Sequence, residues 1–244
     1  MELDEIIKKR VVIINIGSST SHEFQGHIFP DGAFAYVPIP EGWPGARTPT
    51  YRKLGLAKWV TDPDEYAHYD PEFETMTFGD YENKPRTANA RKLETGDFLF
   101  FFASLSPNND AGIKKDIGFY LIGYFEMLRI IPYEEALVSR LTKNNAHVKR
   151  IDDHGFSVWK GTNRSSVLHR AVPIDRTNAD LFLRTSKGEK LPWGAKDKSG
   201  RCRKELETIN SATRASRLIL PEHRREFWKA VRRQNRDIPI FEDC

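Results

Sequence analysis

The chain has 244 residues, 39% hydrophobic and 30% charged, with a formal net charge of +4. That length suits one large domain whose core needs no disulfide staples; the two cysteines, Cys202 and Cys244, form no CxxC pair, which excludes zinc ribbons and thiol redox motifs. The apolar run at residues 11–16 is too short to span a membrane, so a cytoplasmic protein without a membrane partner is expected.

In chain order, residues 11–16 read as a buried first strand, bounded by Gly17 and a Ser/Thr cluster. Residues 27–42 read as strand, turn, strand: Pro30 presets its own φ and Gly32 supplies a positive one. Pro38, Pro40 and Pro44 imply an extended, edge-like segment, since proline cannot donate to a ladder. Residues 43–96 hold polar loops and short elements. The run at 93–105 predicts a turn and then a strand buried on both faces or lining a closed barrel. A polar loop at 106–116 leads to the next strand, 117–131, antiparallel to it, where Gly118 and Gly123 mark a bulge or tight bend.

Pro132 and the acids after it predict a helix over 132–144, with Ala136, Leu137 and Leu141 on one stripe. Residues 155–160 read as a strand, 164–174 as a short helix stopped before Pro173, 179–184 as a strand, and 187–200 as a mobile or ligand-facing loop. Residues 220–236 read as a helix with Phe227 and Val231 four apart. The pattern predicts a single α+β domain over 1–244: a small antiparallel β-barrel core at 11–184, with inserted loops, and a basic helical extension at 201–244.

The segment from His68 to Glu74 alternates polar and other residues. In a strand, His68, Asp70, Glu72 and Glu74 would share one face and could bind a divalent metal or transfer protons. Pro71 argues against a central strand, and Asp70 before it is equally a turn starter holding backbone amides. No metal ligand set and no cofactor is assigned; a divalent metal enters only with the enzyme reading. No GxGxxG, P-loop or GxSxG motif is present. His147, His154 and His169 show no ligand spacing.

Aromatic residues supply a second candidate. Trp59, Tyr69, Phe102 and Trp159 could stack an extruded base, with Ser18 and Ser19 bonding its edge, although most aromatics in such a chain are core. Lys160, Arg164, Arg170, Arg224, Arg225 and Arg232 could contact phosphates; the bland alternative is a solvated basic surface.

Two resemblances bear on these readings. The Gly-Asp turn and aromatic strand of "LETGDFLFFFASL", with "GFYLIGYFEM" after it, resembles the core hairpin of PUA-like barrels, a superfamily that includes the EVE, ASCH and YTH domains; "WKGTNRSSVLHRAVPI" is similar to the tail of some of them. That implies a PUA-like fold and binding of RNA or modified bases. "IFPDGAFAYVPIPE", "TYRKL", "HYDPEFE" and "GDFLFFFASL", in that order, resemble the third of the nucleotide-modification-associated domain families, across roughly residues 11–130. That resemblance implies a prokaryotic or phage nucleic-acid modification context and carries over no catalytic residues. The leading expectation is a nucleic-acid-binding protein, for DNA rather than RNA, that reads a modified base. The alternatives are an enzyme acting through His68, Asp70, Glu72 and Glu74, or an accessory protein that contacts DNA-modification enzymes.

Overall fold

The computed structural model describes residues 3–16, 26–107, 117–185, 189–212 and 215–241. Among them lie strands β1 (Val11–Asn15), β2 (Gly26–Ile28), β3 (Phe34–Ala35), β4 (Thr77–Tyr81), β5 (Phe98–Ser106), β6 (Gly118–Ile131), β7 (Phe156–Gly161), β8 (Ser166–Ile174) and β9 (Arg217–Leu218). The helices are α1 (Leu3–Ile6), α2 (Tyr133–Val138), α3 (Ala179–Phe182), α4 (Glu205–Ala212) and α5 (Arg224–Gln234).

All nine strands join one sheet, ordered β3-β2-β5-β6-β7-β4, with β1 also on β5, β9 on β1 and β8 on β6. This is an α+β fold whose sheet curls into a half-barrel. The expected antiparallel core is corrected in one respect: β1 and β2 both run parallel to β5, so the sheet is mixed. The long stretch between β1 and β5 is ample for the crossover that parallel pairing needs. Curvature comes from β6, whose pairing slips against β5, β7 and β8 in turn, each slip a bulge that bends the strand.

β5 is buried along its whole length, as its apolar run predicts. Phe98, Phe100 and Phe102 face one core with Phe227, Trp228 and Val231 of α5. Leu99, Phe101, Ala103 and Leu105 face a second core with Phe73, Phe78 and Trp159. Burying each such side chain stabilises the fold by roughly 1.5–3 kcal/mol, so one strand ties the two cores together.

The Pro-Asp-Gly turn forms as expected, with Gly32 at φ +89°. The predicted helix at 132–144 is only the six residues of α2, and Leu137 and Leu141 are exposed. Residues 166–174 are strand β8, not a helix; Pro173 is tolerated because β8 pairs only with β6 and forms an edge. Residues 179–182 are helix α3, not a strand; Ala179 and Phe182 are buried three apart, a helical spacing. α4 falls within the helical extension expected over 201–244, although the sequence pattern marks no separate helix there. Ser18, Ser19 and most of the polar loop at 106–116 lie outside the described residues. Among the described residues, no helix is long and apolar enough to cross a membrane.

Candidate functional site

The segment from Val37 to Ala67 packs on its own small core of Val37, Tyr51 and Ala67. Tyr51 donates its hydroxyl to Pro38 O. Two backbone bonds then set Glu41 beside His68: Glu41 N to Tyr66 O and His68 N to Ile39 O, both 2.8 Å. Isolated bridges Pro40–Ala67 and Thr50–Tyr66, with Ala67 N donating to Pro49 O, hold this proline-rich segment in place of a continuous ladder.

The run from His68 to Glu74 is not a strand, so its alternation does not gather four groups on one face. It turns through a cis Asp70–Pro71 bond into a tight loop closed by reciprocal backbone bonds between Glu72 and Thr77. The Glu72 carboxylate is spent inside that loop: it accepts from Glu74 N, Thr75 N and the hydroxyls of Thr75 and Thr77. Glu74 is exposed. Neither belongs to a site with His68 and Asp70.

Asp70 instead turns toward β4 and meets a histidine from far along the chain. Its carboxylate accepts from Gly79 N at 2.9 Å through Oδ2 and from Asn145 Nδ2 at 3.3 Å through Oδ1. His147 Nε2 lies 3.7 Å from Asp70 Oδ2, and His68 Nε2 lies 4.0 Å from the same oxygen. All three ligating atoms fall within 4.8 Å of one another. Gly79 makes this approach feasible: a Cβ there would sit 2.6 Å from both Asn145 Oδ1 and His147 Cδ2.

The far sides of both imidazoles are braced alike. His68 Nδ1 is 3.0 Å from Glu41 Oε2, and His147 Nδ1 is 2.9 Å from Asp153 Oδ2. A carboxylate can only accept, so each Nδ1 carries the proton and donates it. Arg150 ties the two braces together, with Nη2 2.9 Å from Glu41 Oε1 and Nη1 3.3 Å from Asp153 Oδ2. Tyr81 donates its hydroxyl to Asp153 Oδ1 at 2.7 Å.

Titration follows the geometry. Burial opposes ionisation of Glu41, but hydrogen bonds from His68 and Arg150 prevail and hold its carboxyl at about 2. Asp153 is likewise held at about 2, where bonds from His147, Tyr81 and Arg150 overcome burial. Burial lowers His68 to about 4 against the pull of Glu41, so its imidazole is neutral at pH 7. Burial drives Asp70 well above the usual carboxylate range despite the bond from Gly79. With Nδ1 protonated, neutral His68 points the lone pair of Nε2 at Asp70 Oδ2, and His147 Nε2 faces the same oxygen. Separations of 3.7 and 4.0 Å are too long for hydrogen bonds. Ligands about 2.1 Å from a shared ion lie about 3–3.5 Å apart, so a slight contraction would seat one cation.

Two imidazoles and one carboxylate, each imidazole backed by a carboxylate, is the donor set and outer shell of a transition-metal site. It opens on a cavity of about 530 Å³, also lined by Tyr36, Ile39, Asp80, Tyr81, Lys84, Arg86 and Arg150, a size within the roughly 300–1,000 Å³ of small-molecule sites.

The residues expected to stack a base do not form one cage. Trp159 and Phe102 are wholly buried, and Trp159 Nε1 donates to Ala90 O; stacking on either would require opening the core. Tyr69 is half-buried. Trp59 stacks on His27 at 5.0 Å under the Lys58 ammonium, away from the histidine pair.

The expected phosphate contacts scatter too. Lys160 donates to Thr75 O and Gly161 O, bracing the Glu72 loop. Arg164 pairs with Glu126. Arg224 is buried and donates to Lys8 O. Arg225 pairs with Asp4 on the surface. Arg170 is held beside the end of α5 by Asn235 and lines a second cavity; Arg232 lies over Phe241.

Sequence reading thus found His68 and Asp70 but missed Glu41, His147, Arg150 and Asp153. The signal for three of these was the close set of His147, Arg150 and Asp153 between α2 and β7, in a turn too short to be a helix stripe.

No curated protein sequence and no solved structure matches the chain. The family model described as nucleotide modification associated domain 3 matches residues 10–235. That span holds every residue of the histidine–carboxylate cluster and its braces, and it extends the likeness carried by the motifs of the first half to nearly the whole chain, which therefore belongs to the nucleotide modification associated domain 3 family.

Proposed function

We propose that the chain is a metal-dependent enzyme of nucleotide modification, with His68, Asp70 and His147 as the ligands. The observation that carries this reading is the convergence of one ligand atom each from His68, Asp70 and His147 within 4.8 Å, with both Nε2 atoms facing Asp70 Oδ2 and each Nδ1 fixed on a buried carboxylate. A cation bound there would take the place of the proton that burial favours on Asp70 and hold the three donor groups on one centre. With three protein ligands the ion keeps positions open toward the cavity, where it would polarise a substrate oxygen or acidify a bound water. Glu41 and Asp153 act as positioning residues, holding the imidazoles in the metal-binding tautomer. Arg150 neutralises those two carboxylates.

The reading extends the family's association with nucleotide modification to a reaction centre, and it replaces base stacking on Trp159 or Phe102 as the core of the function. Metal analysis of protein purified without chelators, then cobalt(II) titration followed by its visible spectrum, tests it. One ion per chain is expected, lost in His147→Ala and Asp70→Asn with the fold retained by circular dichroism. A wild-type protein that takes up no divalent ion would reject the proposal.

A further inference from the structure

The charge around the candidate metal site is unbalanced. Glu41, Asp70, Asp80 and Asp153 stand against Arg86, Arg150 and the exposed Lys84. Once a divalent ion is bound, the balance turns positive and the cavity suits an anion. Arg150 is committed to Glu41 and Asp153, leaving Lys84 and Arg86. Both are fixed by one structural device, the short 3-10 turn Pro85–Thr87 that follows β4, with Thr87 donating its hydroxyl back to Tyr81 O and Lys84 O.

Arg86 Nε lies 3.0 Å from Asp80 Oδ2, yet neither atom makes an aligned hydrogen bond. Asp80 is nine-tenths buried at the cavity wall, where its other oxygen accepts from Tyr81 N. The Arg86 guanidinium is therefore attracted to the wall by charge, while among the described residues its terminal N–H groups meet no acceptor and the Lys84 ammonium meets no carboxylate. A guanidinium fork and an ammonium that line one cavity suit the oxygens of a phosphate. Tyr36 and Ile39, which line the same cavity, offer ring and aliphatic surface to a base or sugar.

Resting on the metal reading above, we propose that Lys84 and Arg86 bind a substrate phosphate, so that the site takes a phosphorylated nucleoside, either free or as a unit of a single strand, and not the bare nucleoside. The phosphate would sit at the Lys84–Arg86 turn, with the rest of the nucleotide directed to the ion.

Isothermal titration of the metal-loaded protein with deoxynucleoside 5′-monophosphates, the matching nucleosides and a short single-stranded oligonucleotide tests this. At least one phosphorylated probe should bind at least tenfold more tightly than any nucleoside. Preference for the monophosphate or for the strand identifies the source of the phosphate. Arg86→Gln and, separately, Lys84→Ala should each weaken that probe at least tenfold while the bound metal stays at the wild-type level. Equal affinity for nucleoside and nucleotide, no binding of any phosphorylated probe, or unchanged affinity in both variants would overturn the proposal. Failure of metal uptake in the wild type strikes the metal reading; phosphate affinity that survives there and still depends on Arg86 leaves the phosphate site standing.

Discussion

The histidine–carboxylate pocket and the basic helix α5 both concentrate charge, but they treat it in opposite ways. On α5, the buried Arg224 apart, the ion pairs are exposed: the Arg225–Asp4 and Lys229–Glu226 pairs keep half or more of each side chain in solvent. Such pairs contribute about 0–1 kcal/mol. In the pocket, Glu41 and Asp153 are 1% exposed, and Arg150 bridges them. Removing a buried charge from water costs several kcal/mol unless it is paired. A fold that sustains such a cluster needs every member, whereas α5 can lose one cation with little effect. Charge density along the sequence points to α5; the cost of burial points to the pocket.

The largest expected effect breaks the pocket's bracing. Arg150→Ala should destabilise the protein by about 3–5 kcal/mol by stranding two buried carboxylates, read from urea unfolding; a loss under 1 kcal/mol would show that the cluster is not held as described. Trp159→Ala should cost about 3–5 kcal/mol through the cavity it leaves beside Phe78, whereas Trp59→Ala, on a half-buried ring, should cost much less. Equal costs for the two tryptophans would contradict their placement.

Next comes Asp153→Asn, which should weaken divalent metal binding about 10–100-fold by loosening the tautomer of His147, measured by competition with a chelating dye. Unchanged affinity there would remove Asp153 from the site. The smallest effect belongs to α5: Arg225→Ala should change stability by less than about 1 kcal/mol and leave metal content as it was. A loss as large as that of Arg150→Ala would erase the contrast between the two regions.

What was legible in the sequence follows the reach of each signal. β1, β5, β6 and β7 are marked by apolar runs, the first hairpin by Pro-Asp-Gly, and α5 by its Phe227–Val231 spacing; all act within a few residues. β8 misleads because Leu168, Ala171 and Val172 are buried at helical spacing, an accident of the bulge that β6 imposes on its partner. α3 misleads because a short apolar run fits helix or strand equally.

The site was half legible for a related reason. His68 and Asp70 stand out as neighbours, but strand periodicity joins them to Glu72 and Glu74, and the tight loop closed between Glu72 and Thr77 does not keep that periodicity. Their actual partners come from Glu41, 27 residues earlier, and His147, 77 residues after Asp70. The packing of the Tyr51 core, the bare backbone of Gly79, and the bonds of Asn145 and Arg150 bring those segments together, and none of them leaves a local pattern.

The most direct test of the central claim is a metal titration of the wild-type chain beside His147→Ala. The account predicts one tightly bound divalent ion in the wild type and none in the variant, both being folded. Equal binding in both, or none in either, would contradict the assignment of His68, Asp70 and His147 as one metal centre.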